Sequence, residues 1–272
     1  MMADYHIHTR LCRHAEGEPR EYVERAIALG LPELGFADHL PFVAGWLPNH
    51  DVADDFAMGL DELDGYVSMV QDLAREYRDD LRILLGIEAD YIEQTLDETA
   101  AVLEQYPFDY VIGSVHIIGD RFPFDHPKLR DQVADYGVDR IHLESLELVA
   151  RAAGSGLFDV MGHIDQAKVF GLRPSDEEAV AAAVAVALRA IAAAGVAMEL
   201  NTAGWRKPAG EAYPAPRILR EAADLHIPLT FGSDAHRPAD VGYAFERAAA
   251  LARDAGYTAW RRLADAKTEV AW

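Results

Sequence analysis

The stretch Asp4-Tyr5-His6-Ile7-His8-Thr9 decides how the rest of the chain is read. Its centre has the composition of a short strand, in which alternate side chains share a face, so His6 and His8 point the same way and can hold one ion together. Working outward, similar short apolar or alternating runs recur at residues 34–37, 83–87, 110–112, 160–161, 196–200 and 228–231. Between them lie segments of helix-forming composition, at residues 19–29, 59–77, 94–105, 135–154, 175–194, 214–225 and 238–255, several opened by Ser, Asp or Pro. Seven strands alternating with seven helices predict a closed or nearly closed α/β barrel.

Half of the 272 residues are apolar, ample core for such a barrel. No linker, low-complexity tract or fixed-period repeat divides the chain, so residues 1–272 are expected to form a single domain. Twenty-five Lys and Arg against 46 Asp and Glu give a net charge of -21, which repels a phosphate backbone and disfavours nucleic acid as a partner. An anionic substrate therefore needs a local positive site. The lone Cys12 excludes an internal disulfide and a multi-cysteine zinc motif, and suits a reducing compartment. The N-terminus has no leader-like pattern and no run approaches membrane-spanning length, so a cytoplasmic protein without a membrane partner is expected. The alanine-rich run 179–196 contains Arg189 and reads as a soluble helix. Residues 40–58, with Trp46, Pro48 and His50, lack periodicity and predict a long loop over one face of the barrel.

Almost every predicted strand ends in a metal-binding residue type: Ala37-Asp38-His39, Gly86-Ile87-Glu88-Ala89-Asp90, Gly113-Ser114-Val115-His116, Gly162-His163-Ile164-Asp165, Glu199-Leu200-Asn201 and Gly232-Ser233-Asp234-Ala235-His236. In β/α barrels those ends build the active site. A lone histidine after a strand is more often a hydrogen-bonded loop or core residue than a ligand. Of the 11 histidines, however, seven (His6, His8, His14, His39, His116, His163 and His236) fall at or just after strand ends. His50, His126, His142 and His226 fit less well and keep a structural or surface role. Imidazole with carboxylate suits Zn, Fe or Mn, and clustered ions of this kind clamp a phosphoryl group and lower the pKa of bound water.

In this order the motifs His6-Ile7-His8-Thr9, Cys12-Arg13-His14-Ala15, Ala37-Asp38-His39, Gly86-Ile87-Glu88, Gly113-Ser114-Val115-His116, Gly162-His163 and Gly232-Ser233-Asp234-Ala235-His236 resemble the polymerase and histidinol phosphatase (PHP) superfamily, from residue 6 to residue 236. The resemblance implies a distorted seven-stranded (β/α)7 barrel with a trinuclear divalent metal centre. Within the superfamily the chain most resembles the histidinol-phosphate phosphatases of histidine biosynthesis, through Phe124-Asp125-His126-Pro127 and Glu199-Leu200-Asn201-Thr202-Ala203-Gly204-Trp205-Arg206-Lys207-Pro208 followed by Tyr213-Pro214. Trp205 departs from that pattern where a smaller aliphatic residue is expected, and His126 where Asn is.

Carried onto matching positions, the resemblance implies one ion on His6, His8, Glu88 and Asp234, a second on Glu88, His116 and His163, and a third on His14, His39 and His236. A bridging water or hydroxide would attack phosphorus in line, without a phosphoenzyme, and Glu88, Asp234 and His236 are the implied catalytic groups. Arg206, Lys207, Lys168 and Arg13 are candidate phosphate partners, each equally readable as an ordinary surface ion pair. Glu211, Asp165 and Asp90 are the carboxylates open to a substrate amino group, and nothing in the sequence chooses among them. Cys12 reads as packing near the metal site rather than as a nucleophile. The implied reaction is hydrolysis of L-histidinol phosphate. Its rivals are another small phosphomonoester or a nucleotide as substrate, and a noncatalytic metal-binding module, whose ligands would saturate the ions. Oligomeric state is not indicated.

Overall fold

The computed structural model of the chain describes residues 2–48, 52–264 and 268–272, so the role expected of His50 lies outside the described residues. The elements run β1 (Asp4–Ile7), α1 (Pro19–Leu29), β2 (Glu33–Phe36), α2 (Leu63–Glu76), β3 (Arg82–Asp90), α3 (Leu96–Gln105), β4 (Tyr110–Ser114), β5 (Ile117–Ile118), β6 (Phe122–Pro123), α4 (Arg130–Tyr136), α5 (Val138–Gly154), β7 (Val160–Met161), α6 (Glu177–Ala194), β8 (Ala197–Asn201), α7 (Pro216–Asp224), β9 (Leu229–Gly232), α8 (Phe245–Asp254), β10 (Ala259–Arg261) and β11 (Glu269–Ala271). Seven parallel strands form one sheet in the order β1-β2-β3-β4-β7-β8-β9. The ring is drawn shut just past the strand ends, where His8 N donates to Ala235 O at 3.0 Å and Ala235 N to His6 O at 3.1 Å. The result is the nearly closed β/α barrel that the sequence predicts.

The strands are buried on both faces because helices cover the outside and side chains fill the inside. On α2, Leu63, Tyr66, Val67, Val70 and Leu73 recur at helical spacing and form the buried stripe. Inside the ring, Tyr110 dictates its neighbours: a Cβ on Gly86 would lie 2.2 Å from the Tyr110 ring, and one on Gly35 2.1 Å from its hydroxyl. The phenol passes between them and donates to Tyr5 O at 2.6 Å.

The floor of the barrel, at the starts of the strands, carries a buried polar network. Glu33 opens β2 and accepts from the Tyr5 hydroxyl and the Arg262 guanidinium, while Leu263 N donates to the same hydroxyl at 3.1 Å. Arg262 and Leu263 follow β10, whose antiparallel pairing with β11 the sequence does not predict. The small β5/β6 hairpin is also new. Both are too short to show alternation. The helix expected over residues 135–154 begins earlier and is broken in two at Gly137, which adopts a φ of 106°. The described part of the 40–58 loop folds over the C-terminal ends of the strands, where Trp46 and Phe56 are buried and the Phe56 ring lies 6.1 Å from both the His39 and His116 rings.

Candidate metal centre

Each strand end delivers one or two ligand-type side chains to the mouth of the barrel, and they meet at Glu88. This carboxylate is 1% exposed and stands two residues before the end of β3. Its Oε2 faces His6 Nε2 at 3.2 Å, His39 Nδ1 at 3.1 Å and His8 Nε2 at 3.4 Å. Its Oε1 faces His163 Nε2 at 2.9 Å and His116 Nε2 at 3.5 Å, and accepts from Ser114 at 2.6 Å. Asp234 comes from the turn after β9 and reaches His8 Nε2 at 3.4 Å and His236 Nδ1 at 3.3 Å. His236 Nε2 in turn lies 2.9 Å from His14 Nε2, and its ring stacks on His8 with centroids 4.1 Å apart. The structure thus brings His6, His8, His14, His39, Glu88, His116, His163, Asp234 and His236 into one continuous cluster.

A second ring of groups aims the first. His6 Nδ1 meets Glu199 Oε1 at 2.7 Å, His116 Nδ1 meets Asp90 Oδ1 at 2.9 Å, and His14 Nδ1 lies 2.9 Å from the Asp55 carbonyl. Carboxylates placed behind imidazoles fix ring orientation and raise ligand basicity. Glu199 reaches His6 across the backbone of Gly232, where a Cβ would lie 1.9 Å from its carboxylate and 2.7 Å from His6 Cβ. Sequence reasoning noted Glu199 at a strand end without assigning it, and offered Asp90 to a substrate. The pairing of Glu199 with His6 spans 193 residues, and the glycine opposite was the only local sign of it.

Burial opposes charge throughout this cluster, yet opposing partners win at several atoms. Burial pushes the Glu88 carboxyl up, but facing His6, His39 and His116 hold it well below the usual carboxylate range. Burial likewise pushes His116 down, while Asp90, Asp125 and Glu88 raise it to about 10. Five buried atoms in the cluster, His6 Nε2, His8 Nδ1, His39 Nδ1, His163 Nδ1 and Glu88 Oε2, make no hydrogen bond. Buried polar atoms are rarely left so, and here three triads (His6, His8 and Asp234; His8, His39 and His236; His6, His163 and Glu199) each converge within 4.8 Å. The donor set of nitrogens and carboxylate oxygens fits divalent transition ions.

The candidate cations fall in different places. Arg206 Nη2 donates to the carbonyls of Ser233 and Asp234 at 2.8 and 3.0 Å, securing the turn that presents Asp234, while its Nη1 is buried and unbonded. Lys168 is 2% exposed and donates to Asp165 at 2.6 Å and Ala212 O at 2.9 Å, with Glu211 at 3.2 Å. Arg13 is paired with Glu62, and Lys207 is exposed. Cys12 is fully buried beside His8 and His14. Trp205 packs under Arg247 at 4.2 Å, and His126 stacks on Phe56 with centroids 5.9 Å apart.

The pattern of the PHP domain family matches residues 4–203, and that of a PHP-associated family residues 216–254. A Deinococcus radiodurans protein, provisionally named a histidinol-phosphatase, is 41% identical over 94% of each chain. A Listeria monocytogenes structure, its histidinol phosphatase assignment likewise provisional, superposes with a TM-score of 0.82 at 27% identity, over 90% of this chain and 99% of that one. The histidinol phosphate phosphatase of Lactococcus lactis, solved with zinc, L-histidinol and phosphate, superposes with a TM-score of 0.73 at 25% identity, over 96% of this chain and 95% of its own.

Proposed function

This chain belongs to the PHP domain family, and from that premise we propose that it is a metal-dependent histidinol-phosphatase, converting L-histidinol phosphate to L-histidinol and phosphate. The observation that carries the reading is the convergence of five imidazoles on the buried Glu88 carboxylate, within 2.9 to 3.5 Å. We assign His6, His8, Glu88 and Asp234 to one ion, Glu88, His116 and His163 to a second, and His14, His39 and His236 to a third, with zinc, iron or manganese as occupants. Bound there, such ions would neutralise phosphoryl oxygens and would supply hydroxide near neutral pH.

The remaining work falls to the chain. Glu88 is shared between two ligand sets, which fixes their separation. Asp234 and His236, 3.3 Å apart, stand together to take and return the proton that hydrolysis moves from water to the leaving alkoxide. Arg206 holds Asp234 in place through one nitrogen and offers the unbonded Nη1 to a phosphate oxygen. Lys168 supplies positive charge, divided between Asp165 and Glu211. The Phe56 ring beside His39 and His116 shields the mouth from water. Residues 1–272 act as a single domain in this reading. Among the described residues no helix is long and apolar enough to cross a membrane. We place the reaction in the cytoplasm, which suits the free Cys12.

The test is phosphate release from L-histidinol phosphate by the metal-reconstituted protein, beside His116→Ala and a panel of other phosphomonoesters. Strong preference for L-histidinol phosphate and an inactive variant are expected. Activity only on other esters would discard the substrate, and activity on none would return the site to a structural role.

A further inference from the structure

Three carboxylates open to a substrate amine on sequence grounds are spoken for in the structure. Asp90 accepts from His116 N at 3.1 Å and faces its Nδ1 at 2.9 Å. Asp165 accepts through Oδ2 from Lys168 at 2.6 Å and from Ala215 N at 2.9 Å, so its charge is answered by a lysine although its Oδ1 makes no hydrogen bond. Glu211 faces Lys168 at 3.2 Å and Arg173 at 2.7 Å. A fourth, Asp125, has no Lys or Arg partner among the described residues. Phe124 N donates to His116 O at 3.1 Å, which lays the following residue against the mouth of the barrel. Asp125 Oδ2 accordingly stands 4.0 Å from His116 Nε2, the nitrogen that faces Glu88, and accepts from Gln166 Nε2 at 2.7 Å.

What marks this corner is the kind of atom left over. Asp125 Oδ1 and Gln166 Oε1 are both buried and both make no hydrogen bond. Each is an acceptor, the two residues are bonded to one another, and the Asp125 carboxylate has His116 at 4.0 Å but no Lys or Arg among the described residues. Two adjacent orphan acceptors call for a ligand with several donors and a positive charge, which describes a primary ammonium. The cluster's own unbonded His6 Nε2 and Glu88 Oε2 are ion-facing and make no such demand.

We propose that Asp125 and Gln166 form the seat for the ammonium group of an amino-bearing phosphomonoester, and so set substrate specificity. The proposal rests on the histidinol-phosphatase reading for its natural substrate. In L-histidinol phosphate the amine is on the carbon next to the one bearing the ester oxygen, so a phosphate held at the ions brings the ammonium to the edge of the cluster, where Asp125 lies. The imidazole is further along the chain and falls beyond this corner. A charge-assisted contact here strengthens binding and orients the ester without touching the reacting atoms.

The experiment measures kcat and KM on two substrate pairs, L-histidinol phosphate against its desamino analogue and phosphoethanolamine against ethyl phosphate, with zinc content determined for every sample. The zinc-loaded wild type should prefer the amine-bearing member of each pair it hydrolyses. Asp125→Asn should lower kcat/KM for that member by about 10- to 100-fold, chiefly through KM, and leave the amine-free member nearly unchanged at unchanged zinc content. Gln166→Leu, which removes the second acceptor but no charge, should give a smaller loss in the same direction. Equal loss on both members of a pair, loss of zinc, or a wild type indifferent to the amine would each overturn the proposal. An Asp125-dependent preference within the phosphoethanolamine pair, with no hydrolysis of L-histidinol phosphate, would uphold the seat and sink the histidinol-phosphatase reading instead.

Discussion

The two ends of the barrel each bury a polar network, and they differ in whether the carboxylate at its centre is hydrogen-bonded through both oxygens. At the floor, Glu33 uses both carboxylate oxygens on Tyr5 and Arg262, and the Tyr5 hydroxyl takes a further bond from Leu263 N. At the mouth, Glu88 is equally buried, yet its Oε2, the His6 Nε2 and His39 Nδ1 that face it, and the His8 and His163 Nδ1 atoms behind make no hydrogen bond. A network satisfied at its central carboxylate acts as a fastening. An open one of this size is tolerated only when something outside the chain completes it. The contrast separates structure from function without reference to any relative.

Substitutions at the two ends should therefore fail in different currencies. Glu88→Gln keeps the shape but removes the charge that two ligand sets share, and kcat/KM should fall on the order of 10³-fold or more with reduced bound metal and an intact circular dichroism spectrum. Retained activity would break the comparison outright. Glu199→Gln, one step back from the cluster, should weaken metal affinity by about 10- to 100-fold, read by chelator competition, because it unseats His6. Glu33→Gln should do the reverse: stability falls by about 1–3 kcal/mol in urea titrations while kcat of the metal-loaded protein holds. The loss is capped because the Arg262 side chain is 34% exposed.

The subtlest difference is in protons. His6 and His8 are held well above the ordinary imidazole value, against burial, chiefly by Glu199 and Asp234 respectively, and His116 rises to about 10. A raised value means the proton is bound below it, so His6, His8 and His116 are protonated at pH 7 in the metal-free mouth, while burial holds His39 and His236 neutral, and the first three must shed protons to take up ions. Calorimetry in buffers of different ionisation heat should show proton release at pH 7 that shrinks as pH rises through about 10. By the same sign, His116 protonation stabilises the metal-free fold fully below its unfolded value near 6.5 and ceases to do so above about 10. The floor should contribute nothing in that window, since burial and Glu33 push the Tyr5 phenol still higher.

Much of the mouth was legible because the residues of its cluster sit at fixed offsets from strands: His6 and His8 by alternation, the others by the small residue and turn that follow each strand. The barrel was legible for the same reason. What escaped was whatever depends on pairs remote in sequence. Glu33 bonds Arg262 across 229 residues, and neither neighbourhood announces it. Asp125 looked like one motif residue among others, and only the engagement of Asp90, Asp165 and Glu211 elsewhere distinguishes it. The break at Gly137 and the two short hairpins were lost to the limits of periodicity over a few residues.

The ring is drawn shut by Ala235 bonding to the backbone of His6 and His8, which joins the first residues of the cluster to its last. During synthesis at about 5–20 residues per second, His6 and His8 are exposed long before Asp234 and His236 exist. A chain made only as far as residue 233 thus carries His6 and His8 without Asp234 and His236 and without the backbone bonds that close the ring, so the cluster is assembled only after residue 236 has been added.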